Sequence, residues 1–279
     1  MNHFKAPAAL LDELGITEPS DIVIEAIAQH CGATIVYERL DGCEARILGY
    51  GDKAIITINA EASRERQRFS AGHELGHWMR DRGKVTFACT DRNFVQEWGN
   101  DNPERRANRY AADVLLPRKL FEKAARARPP TFESARALSA LFETSLTSTA
   151  IRLVELGDSP SMILCTDSVG RQWFFRSPSI PEALRPLTKP GPGSLAAKLL
   201  AGTLARSAGP QAVDADDWID RADAARYTVI EDSVRTRSGL VLTLLWWKNE
   251  AQLVDEEDED DALPSLTGEL TFASRRRRR

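Results

Sequence analysis

The segment from His73 to His77, which reads H-E-L-G-H, constrains the chain more than any other feature. An α-helix turns about 100° per residue, so side chains four positions apart lie on the same face. His73 and His77 can therefore offer imidazole nitrogens to one metal ion, with Glu74 close to a metal-bound water. The pattern predicts a helix with a zinc site for peptide hydrolysis. The alternative is an ordinary buried helix, but the chain has only four histidines, which makes this spacing an improbable accident.

Two glycines lie within the predicted helix. Gly72 and Gly76 each cost about 1 kcal/mol of helix propensity relative to alanine. Their presence predicts close packing against another element, for which a strand is one candidate. The helix is expected to end near Arg82 or Gly83, since glycine is common just after a helix.

A catalytic zinc ion needs a third protein ligand and one open position. Gly83 stands where the elongated form of the motif has a third histidine, so that subclass is excluded. We therefore expect a carboxylate from a later helix. The best candidate is Glu104, in the first turn of a helix predicted to begin at Pro103, with Glu97 and Glu122 as alternatives. A carboxylate that only interacts with the helix dipole is the other interpretation of Glu104.

Two motifs together resemble those of the ImmA/IrrE family of zinc metallopeptidases. H-E-L-G-H-W is followed by E-R-R-A-N-R-Y-A-A-D-V-L-L-P over residues 104–117, similar to the family pattern E-x-x-A-N-x-F-A-A-x-L-L-M-P. The resemblance implies that His73, His77 and Glu104 bind one zinc ion and that Glu74 is the general base. It also implies an α+β fold with a zincin-like core. From the ligand types alone, manganese or iron is an alternative to zinc.

Two further residues are candidates for secondary roles. Cys89 lies between the two predicted metal-site helices, where its thiolate could fill the open metal position and inhibit hydrolysis; a small buried thiol is the alternative. Tyr110 is a candidate contact for the oxyanion or the substrate, as is Asn108. Core packing or helix capping is the alternative for both residues.

Hydrophobic patterning predicts four parts of the chain. They are a peptidase domain at 1–128, a helical segment at 129–157, a third domain at 158–254 and a tail at 255–279. The helical segment resembles a helix-turn-helix, which favours DNA binding. Its second helix, however, has only Arg152 as a basic residue, whereas a DNA-reading helix needs several polar or basic side chains. We therefore favour a packing role.

The third domain resembles the GAF-like C-terminal domain of IrrE-type proteins, which implies a sensor that binds a small ligand. Its pattern predicts strands at 161–165, 172–176, 228–233 and 240–247, with helices at 195–204 and 214–219. The tail has seven consecutive acids at 255–261 and five arginines at 275–279, within a net charge of −4. Such runs predict disorder without a site, although arginines can also contact nucleic acid.

The cysteines and the apolar segments indicate the compartment. Four scattered cysteines without a C-x-x-C pair are typical of reduced thiols. No apolar leader is present at the N-terminus, and the apolar run at 240–247 is too short to cross a bilayer. We therefore expect a cytoplasmic protein with no membrane partner.

The family resemblance implies a regulatory endopeptidase. Its expected substrate is a helix-turn-helix repressor of the XRE type, whose cleavage derepresses stress-response, mobile-element or phage-defence genes. An activating nucleic acid or small ligand is expected to act through the third domain. The alternative is a DNA- or ligand-binding transcriptional regulator with a structural zinc ion, and Glu74 argues against it because a structural site needs no general base.

Overall fold

A computed structural model describes residues 4–81, 87–89, 102–205, 207, 209–248 and 250–253. These residues form a mixed α+β structure with two sheets, which confirms the predicted fold class. The helices are α1 (Pro7–Glu13), α2 (Ile24–His30), α3 (Arg64–Asp81), α4 (Pro103–Leu115), α5 (Arg118–Ala125), α6 (Phe132–Phe142), α7 (Leu146–Leu156) and α8 (Leu195–Leu200). The strands are β1 (Ala33–Glu38), β2 (Ala45–Tyr50), β3 (Lys53–Asn59), β4 (Phe87–Cys89), β5 (Ser161–Thr166), β6 (Arg171–Arg176), β7 (Gln211–Asp214), β8 (Thr228–Arg235) and β9 (Val241–Trp246).

The first sheet supports the helix that carries the H-E-L-G-H motif. Its strands lie in the order β1-β3-β2-β4, with β1 parallel to β3 and the other pairs antiparallel. Side chains alternate between the two faces, so Ile47 and Ile56 are buried against α3 whereas Leu48 and Ile55 are about half exposed. Alternating apolar and polar residues predict strands at 33–40, 45–49 and 53–58, and the structure confirms them as β1, β2 and β3. The strand β4 is an additional one that the sequence pattern did not indicate.

The helix α3 packs directly against α4, at the two glycines of the motif region. A Cβ atom built on Gly72 would lie 3.2 Å from Cβ of Ala111, and one on Gly76 would lie 3.0 Å from Cα of Ala107. The glycines therefore make room for a second helix, which confirms the predicted close packing and identifies α4 as the neighbouring element. Small residues on both helices bring the two backbones close together, which places the first turn of α4 beside the histidines.

Substituting Gly76 by alanine is expected to destabilise the protein by about 1 kcal/mol and to weaken metal binding. Alanine gains about 1 kcal/mol of helix propensity, but its methyl group would lie 3.0 Å from atoms of both Ala107 and Tyr110. Overpacking of this kind costs about 1–3 kcal/mol and would push α4 away from α3. Thermal unfolding and zinc titration measure the two effects. Glu65→Ala, at an exposed position of α3, is the control; a Gly76→Ala protein more stable than the wild type would contradict the steric argument.

The helix pair α6 and α7 has the connection expected of a helix-turn-helix, but α7 is not available to read DNA. The hydroxyl of Ser145 caps α7 by accepting from the backbone N–H of Ser148, at 3.2 Å. The side chain of Arg152 is buried, with 2% of the residue exposed. Its Nε donates to the carbonyl of Leu116 at 3.0 Å, and its two Nη atoms contact Asp113 and Glu155. The packing role favoured for this segment is therefore supported.

The second sheet is antiparallel throughout, in the order β6-β5-β9-β8-β7, and its strands β5 and β9 are buried on both faces. Ile163 and Leu244 on one face belong to the same hydrophobic core as Leu75 of α3. Leu164 and Leu245 on the other face pack in a second core with Trp218. The first core is thus continuous from the motif helix to the C-terminal sheet. The proposed domain boundaries and the GAF-like identity stay predictions, although the sheet is compatible with them.

One predicted helix in the C-terminal part is wrong. Residues 214–219 do not form an α-helix: Asp214 ends β7, opposite Thr228 of β8, and a short 3₁₀ turn covers Ala215–Asp217. This turn directs the Trp218 indole into the core, where its Nε1 donates to the buried carboxylate of Glu231 at 2.9 Å.

Three predictions lie outside the described residues: the tail at 255–279, the alternative ligand at residue 97 and the helix end at residues 82–83.

Candidate metal centre

The two histidines of the motif meet on one face of α3, as their spacing predicts. His73 and His77 are both buried, and their Nε2 atoms lie 3.1 Å apart. The rings are nearly perpendicular, with centroids 4.7 Å apart. Two imidazole nitrogens that face the same point can fill two of the four coordination positions of a zinc ion.

The third candidate ligand comes from the start of α4. Asn102 caps this helix, because its Oδ1 accepts the backbone N–H of Glu104 at 2.8 Å, and Pro103 occupies the first helical position. The cap holds Glu104 where its Oε2 lies 3.1 Å from Nε2 of His73 and its Oε1 lies 3.3 Å from Nε2 of His77. The dipole interpretation of Glu104 is therefore incomplete, since the side chain turns toward the histidines.

The alternative carboxylate among the described residues is elsewhere. Glu122 lies on α5, and its Oε1 accepts from Arg118 at 2.8 Å in an exposed ion pair. By contrast, ligand atoms of His73, His77 and Glu104 all lie within 4.8 Å of one another. Two nitrogen donors and one carboxylate oxygen fit a zinc ion that keeps an open coordination position.

The local electrostatics favour a charged carboxylate at this point. Hydrogen bonds from His73 and then His77 hold the pKa of Glu104 well below its usual range, against the opposing effect of partial burial. Glu104 is therefore an anion at neutral pH. An anionic oxygen beside two imidazole nitrogens is the donor set that a divalent cation requires.

Glu74, the candidate general base, follows His73 directly and is fully buried, with 0% of the residue exposed. Complete burial of an ionisable side chain is costly unless it is paired, and such groups are concentrated at functional sites. Its place directly after His73 in α3 is what the motif requires, and its catalytic role stays a prediction.

The two polar residues proposed for α4 differ in their surroundings. Tyr110 is buried, its ring meets Phe4 edge to face, and its hydroxyl lies 3.5 Å from the backbone oxygen of Lys5. These contacts favour the packing alternative for Tyr110 over an oxyanion or substrate contact. Asn108 lies one turn beyond Glu104, and its Oδ1 is 2.8 Å from Nδ1 of His73. The sequence signal for this contact is the four-residue spacing between Glu104 and Asn108, which places both on one face of α4. The interpretation of Asn108 as an oxyanion contact did not use this spacing.

Cys89 is described only through its backbone. It ends β4, in register with Ala45 of β2, and its side chain lies outside the described residues. The inhibitory role therefore stays a prediction. If the thiolate fills the open metal position, Cys89→Ser should raise basal hydrolysis severalfold with unchanged zinc content. Cys43→Ser is the matched control, because Cys43 is another free cysteine; equal rates for both variants and the wild type would refute the inhibitory role.

Within the described ranges, no helix has both the length and the apolar character needed to cross a bilayer.

Comparison with known proteins identifies the domain that contains this site. Residues 28–154 match the family model described as Peptidase_M78, IrrE N-terminal-like domain. The structure is similar to that of a Mycobacterium tuberculosis transcriptional regulator, with a TM-score of 0.57 and 12% sequence identity, over 91% of this chain and 80% of that one. At this identity the likeness concerns the fold alone. No curated protein matches the chain by sequence. Over residues 28–154, which contain all three candidate ligands, the chain is therefore similar to the IrrE N-terminal-like domain of the Peptidase_M78 family.

Proposed function

We propose that the chain is a regulatory, zinc-dependent endopeptidase. The observation that carries the proposal is the convergence of His73, His77 and Glu104, within a region similar to the IrrE peptidase domain. The buried Glu74 follows His73 directly in the same helix. The three ligands would hold one zinc ion. When bound, zinc would supply an acidified water and a Lewis acid for a peptide carbonyl.

Glu74 performs the proton transfers in this proposal. Its carboxylate takes a proton from the water that attacks the carbonyl carbon of the scissile peptide, and later gives that proton to the leaving amine. Burial keeps bulk water away from the carboxylate and so strengthens its electrostatic interactions with the reacting groups.

The substrate proposed is a cytoplasmic repressor of the XRE helix-turn-helix type, whose cleavage derepresses stress, mobile-element or phage-defence genes. The family of the peptidase domain and the regulator-like structural neighbour support a regulatory role. In this proposal the C-terminal GAF-like domain receives the activating signal, a nucleic acid or a small ligand. The shared core between its sheet and the motif helix supports mechanical coupling rather than independent movement of the two parts.

The alternative function, a DNA-binding regulator with a structural zinc ion, has less support. The basic side chain that would have read DNA, Arg152, is buried in contacts with Leu116, Asp113 and Glu155. A structural site would also have no use for the buried carboxylate of Glu74.

Co-expression with a candidate repressor tests the proposal. A repressor of the XRE type from the same genome would be expressed with the wild type or with Glu104→Ala, with and without DNA damage, and its fragments identified by mass spectrometry. We expect one defined cut with the wild type and none with Glu104→Ala, which lacks a metal ligand. A repressor from an unrelated system is the control for specificity. An intact cognate repressor after damage, in the presence of zinc-loaded wild type, would contradict the proposal.

A further inference from the structure

The hydrogen bond between the two metal-site helices assigns a role to Asn108. Its Oδ1 lies 2.8 Å from Nδ1 of His73, on the side of the imidazole ring away from Glu104. Asn108 and Glu104 are four residues apart in α4 and therefore share the face that meets α3. One helix thus supplies a candidate ligand and, one turn later, a partner for another ligand.

The identity of the ligand atom decides which nitrogen of His73 carries the proton. Nε2 of His73 faces Glu104 at 3.1 Å and Nε2 of His77 at 3.1 Å, so Nε2 is the atom at the metal position. A nitrogen that binds a metal ion must offer its lone pair, and a neutral imidazole has only one N–H. The proton of His73 must therefore reside on Nδ1, where it needs an acceptor.

Asn108 supplies that acceptor because its amide oxygen can accept the Nδ1–H bond. The opposite orientation, with the amide NH₂ group donating to Nδ1, would require the Nε2–H form of His73 and so block the metal position. The side chain of Asn108 is short, and it reaches His73 because Gly72 and Gly76 let α4 approach α3 closely. Helix capping does not explain Asn108, since it lies in the middle of Pro103–Leu115.

We propose that Asn108 is a positioning residue, which holds His73 in the Nδ1–H tautomer and fixes its ring orientation for metal binding. The inference rests on the proposed metal site and extends it to a residue outside the ligand set. An acceptor for the Nδ1–H group of a metal-binding histidine makes the ligand nitrogen Nε2 more basic and disfavours the Nε2–H tautomer. Asn108 therefore raises metal affinity without touching the metal or the substrate.

Zinc affinity of the purified full chain, measured by competition with a chromophoric chelator, tests the inference independently of hydrolysis. Asn108→Leu removes the acceptor while keeping the branched shape of the side chain, and we expect zinc to bind roughly 10–100-fold more weakly. Asn108→Asp keeps an acceptor that cannot donate, and we expect affinity equal to or tighter than that of the wild type. Arg105→Ala, an exposed change on the same helix, is the control and should leave affinity unchanged.

A second measurement reports the tautomer directly. In the zinc-free protein, ¹⁵N-detected NMR of the His73 ring should show a protonated Nδ1 in the wild type and in Asn108→Asp, and a mixture of tautomers in Asn108→Leu. If Asn108 had a purely structural role, Asn108→Leu would change the unfolding temperature but not the tautomer of His73. Such a role would also not predict that Asn108→Asp restores zinc affinity.

The outcomes separate this inference from the function on which it rests. Wild-type zinc affinity in Asn108→Leu, or an equal loss in Asn108→Asp and Asn108→Leu, would overturn the positioning role while leaving the metal site intact. A wild-type protein that binds no zinc would overturn the metal site itself, and the inference with it. Weakened binding in Asn108→Leu with rescue in Asn108→Asp would support the inference whether or not a repressor is cleaved.

Discussion

Replacement of Glu74 by glutamine is expected to lower the rate of repressor cleavage roughly 10²–10⁴-fold, the usual contribution of a general acid–base group. Glutamine has nearly the same shape and fills the same buried space, but it cannot take a proton from water. The ligands His73, His77 and Glu104 are unchanged, so zinc should stay bound in a one-to-one ratio. Single-turnover cleavage followed by gel, together with metal analysis of the same sample, measures both effects.

The comparison with Glu104→Ala distinguishes loss of the base from loss of the metal. Both variants should fail to cleave, but only Glu104→Ala should lose zinc, because it alone removes a candidate ligand. Glu65→Ala, an exposed change on α3, controls for handling of the protein. Normal cleavage by Glu74→Gln would show that another group carries the proton, and the mechanism would then be wrong.

Replacement of Arg152 by leucine is expected to lower the free energy of unfolding by about 3 kcal/mol. The guanidinium is buried and satisfies the Leu116 carbonyl together with the carboxylates of Asp113 and Glu155. Breaking a buried ion pair on one side costs about 3–5 kcal/mol, and the lower end applies because both carboxylates are partly exposed. Urea denaturation with an unchanged m-value measures the loss.

The control for Arg152 contacts the same two acids from the surface. Arg109 pairs with Asp113 at 3.3 Å and with Glu155 at 2.6 Å, but its side chain is 57% exposed. An exposed pair contributes about 0–1 kcal/mol, so Arg109→Ala should have a small effect. Equal effects of the two substitutions would refute the structural role assigned to the buried guanidinium.

The contribution of Arg152 should also depend on pH. Burial raises the pKa of Glu155, but Arg152 and Arg109 outweigh that effect and hold the pKa below its ordinary value. A carboxyl group with a lowered pKa in the folded state stabilises the protein above its unfolded pKa, and this stabilisation is lost as the pH falls through the folded pKa. The difference between wild type and Arg152→Leu should therefore shrink in acid.

Much of the metal centre was predictable from the sequence because it depends on local geometry. Helical periodicity fixes the relation of His73 to His77, and the capping signals at Asn102 and Pro103 place Glu104 in a first helical turn. The pairing of α3 with α4 was only partly predictable. Gly72 and Gly76 indicated a close neighbour, but a glycine leaves room for a strand or a helix alike, so the glycines alone did not decide which element it was.

The helix-turn-helix-like segment shows where local patterning stops being informative. Periodicity and caps predict its two helices at 132–142 and 147–156, and the structure has them at Phe132–Phe142 and Leu146–Leu156. Whether the second helix faces solvent depends on residues distant in the chain, such as Leu116 and Ile163, which it meets only in the folded protein. The predicted helix at 214–219 failed for a similar reason, since pairing with β8 overrides its local helical pattern.

The sequence by itself determined the motif helix, the type and spacing of its ligands and the sheet-forming segments, because these depend on periods of a few residues. Only the tertiary structure decided that α4 lies against Gly72 and Gly76, that Asn108 stands behind His73, and that Arg152 is buried. Each of these facts is a contact between residues far apart in the chain, and its energy depends on the burial and distance that packing creates.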